Sequence, residues 1–98
     1  MTHRVVYSQQ AKFDLANIER HIADSGSPDN AATYIRAIVA KCDGLAAAPY
    51  QGTRRDDVLA GLRTTGFRRR VTIAFFVGPE AILIARILYG GRDIGTNL

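Results

Sequence analysis

Residues 68–89 read Arg68-Arg69-Arg70-Val71-Thr72-Ile73-Ala74-Phe75-Phe76-Val77-Gly78-Pro79-Glu80-Ala81-Ile82-Leu83-Ile84-Ala85-Arg86-Ile87-Leu88-Tyr89. From Arg68 to Val77 the pattern alternates. Val71, Ile73, Phe75 and Val77 point one way and Thr72, Ala74 and Phe76 the other, which is the period of a β-strand. The arginine triplet then opens that strand, with Arg69 on one face and its neighbours on the other. Gly78-Pro79-Glu80 reads as a tight turn. Ala81–Tyr89 is nearly continuous in apolar residues, which predicts a second strand buried on both faces. With Leu62–Thr65 before them, these make a three-stranded antiparallel meander. Gly90-Gly91 ends it and leaves a short polar tail.

Working back, Pro49 to Gly61 reads as a loop with room for one helical turn around Asp57–Ala60. Before it the period is helical. Ala11, Leu15, Ile18 and Ile22 form one apolar face of a helix that starts at the Ser8 cap and runs to about Asp24. Ser25-Gly26 stops it, with Gly26 in the left-handed conformation. Ser27-Pro28-Asp29 starts a second helix, by cap, first-turn proline and acidic N-terminal residue. Its stripe is Ala31, Ile35, Ile38, Cys42 and Leu45, and it ends before Pro49. The short connection makes the two helices an antiparallel hairpin. Arg4–Tyr7 is a short β-prone stretch that joins the sheet, in a register the sequence does not give. The layout is β-α-α-β-β-β, an α+β two-layer domain with the helix hairpin packed on a small, mainly antiparallel sheet.

The chain has 98 residues, which fits one domain over residues 1–98. An apolar fraction of 47% with 22% charged residues is a globular composition, and the absence of Trp makes the core mainly aliphatic. The single cysteine, Cys42, excludes an intrachain disulfide, and with only His3 and His21 beside it no His/Cys metal centre is expected. No apolar run is long enough for a membrane span and no signal peptide is visible, so the expected compartment is the cytoplasm. No cofactor is expected.

The net charge is +4 and lies entirely in the second half. Residues 1–49 carry five basic and five acidic groups; residues 50–98 carry eight arginines against four acidic groups. Arginine suits bidentate carboxylate and phosphate contacts, so the expected partner is anionic, either nucleic acid or an acidic protein segment.

The order of elements and the placing of these arginines resemble the RelE/ParE superfamily of toxins from type II toxin–antitoxin pairs. The resemblance covers essentially the whole chain. It rests on Ser8-Gln9-Gln10-Ala11-Lys12-Phe13-Asp14-Leu15-Ala16-Asn17-Ile18, on Pro49-Tyr50-Gln51-Gly52-Thr53-Arg54, and on Gly61-Leu62-Arg63. It continues through Phe67-Arg68-Arg69-Arg70-Val71 and closes on Arg86-Ile87-Leu88-Tyr89-Gly90-Gly91-Arg92-Asp93. The chain looks more like ParE than RelE. ParE-type toxins are known as protein inhibitors of DNA gyrase. The resemblance therefore implies gyrase as target, growth inhibition as outcome, and a cognate ParD-like antitoxin as partner in a toxin–antitoxin hetero-oligomer. RelE-type toxins instead cut mRNA on the ribosome, and their sites need groups that deprotonate the 2′-OH, protonate the leaving oxygen and hold the phosphorane charge. Here Arg63, Arg69, Arg86 and Tyr89 are the candidates for that alternative. There is no Lys after Lys41, no His after His21, and Glu80 is the only late glutamate, so the acid–base set is thin.

The partner-binding candidates are Arg54, Arg63, Arg68, Arg69, Arg70, Arg86 and Arg92. Arg86 interrupts an apolar run and, like Arg63, needs a carboxylate if buried; Asp56, Asp57 and Asp93 are the expected partners. Asp56-Asp57 reads as a salt-bridging loop pair rather than a catalytic or metal pair. Cys42 falls on an apolar stripe and reads as core. Neither His3 nor His21 has a visible partner. A plain nucleic-acid module is the weakest reading: no reading helix is present, and Phe75 and Phe76 face opposite ways.

Overall fold

The structure is a computed structural model and describes residues 3–98. Five strands form one sheet in the order β1-β5-β4-β3-β2: β1 (Arg4–Tyr7), β2 (Thr53–Arg54), β3 (Leu62–Phe67), β4 (Val71–Val77) and β5 (Ala81–Tyr89). The meander of β3, β4 and β5 is antiparallel, and β1 lies parallel to β5 with Val6 opposite Leu83. The helix hairpin, α1 (Gln9–Ser25) and α2 (Pro28–Asp43), covers one face. A four-residue helix, α3 (Ile94–Asn97), closes the chain.

Both long helices start as their caps dictate. The Ser8 hydroxyl accepts from the Ala11 amide at 3.0 Å, and the Ser27 hydroxyl accepts from the Asn30 amide at 3.1 Å. Gly26 departs from expectation, since its φ is −149° and not left-handed. Glycine suits the position by contact instead: a Cβ there would lie 3.3 Å from the Ile22 carbonyl oxygen. The α2 helix ends at Asp43, and Leu45 reaches the core from a 3-10 turn, Gly44–Ala46.

The main core lies between the hairpin and the sheet. Ala11, Ile18, Ile38, Cys42 and Leu45 meet Val71, Ile73, Phe75, Ile82, Ile84 and Ile87 there. A smaller cluster on the opposite face joins Leu62, Ala74, Leu88 and Ile94, flanked by Val58 and Phe76. The alternation along β4 thus holds from Val71 to Phe76. Each large side chain buried here contributes about 1.5–3 kcal/mol.

The β5 strand corrects the reading of its apolar run. Ala74 pairs with Arg86 and Phe75 with Ile84, so Ala85 is an extra residue, a β-bulge. Before it Ile82 and Ile84 face the helices; after it Ile87 and Tyr89 do. A parity switch in mid-strand produces the unbroken apolar string. Burial on the far face is incomplete, since Leu83 remains 40% exposed, as does its neighbour Val6.

Two further elements were not legible. β2 pairs through only Thr53–Thr64 and Arg54–Arg63, and α3 forms in the stretch expected to be a polar tail. The α3 cap is Asp93, whose carboxylate accepts from the Gly95 amide at 3.0 Å. Gly52 makes the β2 contact feasible: its φ is +85°, and a Cβ would stand 2.4 Å from the Thr64 carbonyl oxygen. Residues 55–61 form hydrogen-bonded turns and not a helix.

Candidate partner-binding site

The arginines of the second half divide into two groups. Arg86 belongs to the first. Its guanidinium donates to both Asp14 carboxylate oxygens, at 2.8 and 3.0 Å. Asp14, 5% exposed, also accepts the Ile87 amide at 2.9 Å. The partner is therefore on α1, and not Asp56, Asp57 or Asp93. The hydrogen bonds that Arg86 donates to Asp14 raise its pKa above the ordinary value. Asp14 and Ser8 act together on the bulge: the Ser8 hydroxyl donates to the Ala85 carbonyl at 2.8 Å while capping α1. The carbonyl and amide that flank the bulge are thus both satisfied from one helix.

Arg63 and Arg54 are engaged at the opposite edge. The Arg63 guanidinium donates to the Tyr50 carbonyl at 2.9 Å and lies 5.5 Å from the Tyr50 ring centre. Arg54 pairs with Asp56 at 2.9 Å, and Arg55 pairs with Asp57 at 3.0 Å. The Gly61 amide, followed by Arg54, holds the Asp56 carboxyl below the ordinary carboxylate range; the Arg55 hydrogen bond does the same for Asp57. This loop is a salt-bridged clasp around the chain reversal before β3.

Arg68, Arg69, Arg70 and Arg92 form the second group. All four are exposed, and among the described residues none has a carboxylate within salt-bridge distance. The triplet is the β3–β4 connection itself and not the opening of a strand. Arg70 N–H closes a turn on the Phe67 carbonyl at 3.2 Å, and the strand begins at Val71. The two central residues, Arg68 and Arg69, take φ of 51° and 61°, the signature of a type I′ turn that Asn-Gly ordinarily fills. Left-handed backbone costs a residue with a Cβ roughly 1–2 kcal/mol. The Arg68 guanidinium lies over the Phe67 and Tyr34 rings, at 4.9 and 5.7 Å from their centres.

Behind the turn, Tyr34 stands edge-to-face with Phe67 and with Tyr89, and Tyr89 meets the His21 ring at 5.6 Å. His21 therefore has a partner that its sequence context did not show. Burial raises the Tyr34 phenol pKa, and its hydroxyl is buried without a hydrogen-bond partner among the described residues. Tyr89 is half-buried at the end of β5.

Between α1 and the end of β5 lies a cleft of about 500 Å³. Ile18 and Ile87 contribute apolar wall, Arg70 and Arg92 charge, and His21 and Tyr89 aromatic edges. A second hollow of about 510 Å³ adjoins it, lined by the arginine triplet, Gly90 and Gly91. Arg70 and Gly90 are common to both. Gly90 and Gly91 take φ of 77° and 80° and carry Arg92 back toward the cleft.

The four nuclease candidates are not gathered here. Tyr89 lines the first hollow and Arg69 the second, while Arg63 and Arg86 line neither. Arg63 pairs with Phe75 and Tyr89 with Val71, four residues apart along β4, roughly 13 Å at the rise of a strand. Cys42 is fully buried, and burial pushes its thiol up to about 11. Tyr7 donates to Asp43 at 2.9 Å; burial is the main cause that raises its phenol pKa. Among the described residues no group of His, Cys, Asp and Glu could hold a metal ion, and no helix is long and apolar enough to cross a membrane.

Sequence reasoning missed Asp14, His21, Tyr34 and Asn17 as parts of this region. For Asp14 a signal existed: it lies three residues after Ala11 and four before Ile18, on the buried face of α1, where a carboxylate must find a partner.

A helix hairpin on a five-stranded sheet, with a cluster of exposed arginines at the end of β5, defines a small α+β protein. The model of the ParE toxin of type II toxin–antitoxin systems (parDE) matches residues 5–94, and the chain belongs to that family. It is similar to a structure described as the chromosomal ParDE toxin–antitoxin system from P. aeruginosa. The TM-score is 0.79 at 26% identity, covering 91% of this chain and 97% of that one. It shares its fold with a chain of the RelBE2 toxin–antitoxin complex from Mycobacterium tuberculosis, with a TM-score of 0.63 at 19% identity, covering 91% and 99%. No curated protein matches the chain.

Proposed function

We propose that the chain is a ParE-type toxin that inhibits DNA gyrase by protein–protein contact in the cytoplasm, restrains growth by doing so, and is neutralised by a cognate ParD-like antitoxin. Family membership supports the toxin role. The observation that favours contact over catalysis is the commitment of Arg86 to Asp14: one of the three arginines that the sequence offers to hold a phosphorane charge is locked in a structural ion pair. Arg63 is likewise engaged on a loop carbonyl, and the remaining arginines form a surface. The similar ParDE structure is described as a toxin–antitoxin system, which supports an antitoxin partner and a hetero-oligomer here.

The test is supercoiling by purified gyrase with antitoxin-free protein titrated in. Dose-dependent loss of supercoiling, relieved by the antitoxin, is the expected result. Undiminished supercoiling by a folded, antitoxin-competent preparation overturns the gyrase target. One observation favours mRNA cleavage as the second reading: Tyr89, Arg70 and Arg92 line a single cleft. Cleavage of mRNA on translating ribosomes, abolished by Tyr89→Phe, would establish that reading.

A further inference from the structure

We propose that free copies of this chain pair edge to edge through β1, as a twofold antiparallel dimer with Val6 on the axis. The occupant of the open β1 edge is thus a second copy of the chain. This rests on neither the gyrase half nor the antitoxin half of the function proposed above.

The two edges of the sheet differ in kind. At one edge β2 is only Thr53–Arg54, follows Gly52 in left-handed backbone, and carries Arg54 paired with Asp56. A short, charged strand of this sort is a blunted edge. At the other edge β1 reads Arg4-Val5-Val6-Tyr7, β-branched and aromatic after a single charge. Among the described residues no strand pairs with its outer side. An open strand of that composition is a template for a further strand.

The backbone fixes the register. The Arg4 and Ser8 amides donate to the Glu80 and Ile84 carbonyls on the β5 side, at 3.0 and 2.9 Å. By strand alternation Val5 and Tyr7 turn their N–H and C=O groups outward. A second β1 running antiparallel uses all of these groups when Val5 of each copy faces Tyr7 of the other. That register sets Val6 opposite Val6.

The side chains agree with it. Leu62, Phe76, Leu83 and Val6 stand opposite one another in turn across β3, β4, β5 and β1, on the face away from the helix hairpin. Leu62 is buried in the smaller core, whereas Leu83 and Val6 are each 40% exposed, so the row loses its cover toward β1. With Val6 on the twofold, the row meets its own image and runs unbroken through both sheets. A strand of another sequence would have to bring this spacing; a second copy has it by symmetry. A strand of four residues is about 13 Å long, so the contact lies at the small end of interface sizes, below roughly 1,200 Å². The dimer is accordingly weak, with a dissociation constant on the order of tens of micromolar.

The test is sedimentation velocity of the antitoxin-free chain from about 1 to about 500 µM, a range that brackets this constant. The average mass rises from monomer toward dimer. Val6→Lys sets two like charges face to face on the axis and weakens association at least about tenfold, with a urea melt to show that the variant is folded. Cysteine cross-linking reads the register. Residues paired at a non-hydrogen-bonded site have Cα atoms about 4.5 Å apart, within disulfide reach. In a Cys42→Ala background Val6→Cys therefore links two chains when oxidised glutathione is added. Arg4→Cys, on the same strand and face, does not: Arg4 faces Ser8 of the other copy, which leaves the two introduced thiols roughly 13 Å apart along the strand. Three results overturn the proposal: a chain that stays monomeric throughout, a dimer indifferent to Val6→Lys, or Arg4→Cys linking as fast as Val6→Cys. A monomeric chain whose Val5 and Tyr7 amides gain protection from hydrogen exchange only with antitoxin also overturns it, and assigns the edge to the antitoxin.

Discussion

Arg86 lies in mid-strand and Arg70 just beyond the end of the same sheet, and their environments are opposite. The Arg86 side chain is 14% exposed, gripped by a buried carboxylate and fixed beside a β-bulge. Arg70 is exposed, with no carboxylate near it among the described residues, in a strained turn that faces a cleft. Both belong to the same surplus of arginine, yet one holds the fold and the other is available to a partner. Charge counted along a sequence therefore overstates the binding surface. The relevant quantity is the charge left after the chain has answered its own.

The sharpest way to break the comparison is Asp14→Ala. It leaves Arg86 uncompensated and the Ile87 amide unpaired, and should destabilise the protein by about 3–5 kcal/mol. A urea melt measures this, and a change below about 1 kcal/mol would show that the pair is not structural. The double variant Asp14→Leu/Arg86→Met should recover most of the loss, remaining about 1–3 kcal/mol short for the Ile87 amide.

Next in size is the alkaline limb of the stability curve. The Cys42 thiol titrates near 9 when unfolded and near 11 when folded. The folded state holds its proton more tightly, so this contribution is full below pH 9 and is lost as pH rises through 11. The loss is on the order of 2 kcal/mol, and Tyr7 acts in the same direction. Melts of Cys42→Ala between pH 8 and 11 should show a shallower slope than those of the parent chain.

Ser8→Ala removes both a cap and the partner of the Ala85 carbonyl, and should cost about 1–2 kcal/mol. The turn variant Arg68→Asn/Arg69→Gly sharpens the contrast from the other side. It should stabilise the hairpin by about 1–2 kcal/mol, read as a higher melting temperature. Smallest of all, Arg70→Gln/Arg92→Gln should leave stability within about 0.5 kcal/mol of the parent chain.

The period of the chain made most of the fold legible. The helices announced themselves by Ser8, Ser27-Pro28 and their apolar stripes, and β4 by strict alternation. What escaped had no period to read. β2 is two residues long and α3 four, too short for either template. The bulge at Ala85 was hidden because apolar residues on both sides of a parity switch look like one buried run. The arginine turn was read as strand because arginine carries no turn preference; the φ values come from closing Phe67 onto Arg70. At the site, residue types were readable and their allegiances were not. Nothing local to Arg86 indicates that its partner lies 72 residues away on α1, since that depends on which helix crosses the strand. The split between committed and free arginines is a property of the tertiary structure.

That split can be measured directly by dicarbonyl labelling of arginine in the folded protein, followed by peptide mass mapping. Arg68, Arg69, Arg70 and Arg92 should react first, with Arg86 the slowest of the second-half arginines. If Arg86 reacts as fast as Arg70, the division between committed and free arginines is wrong.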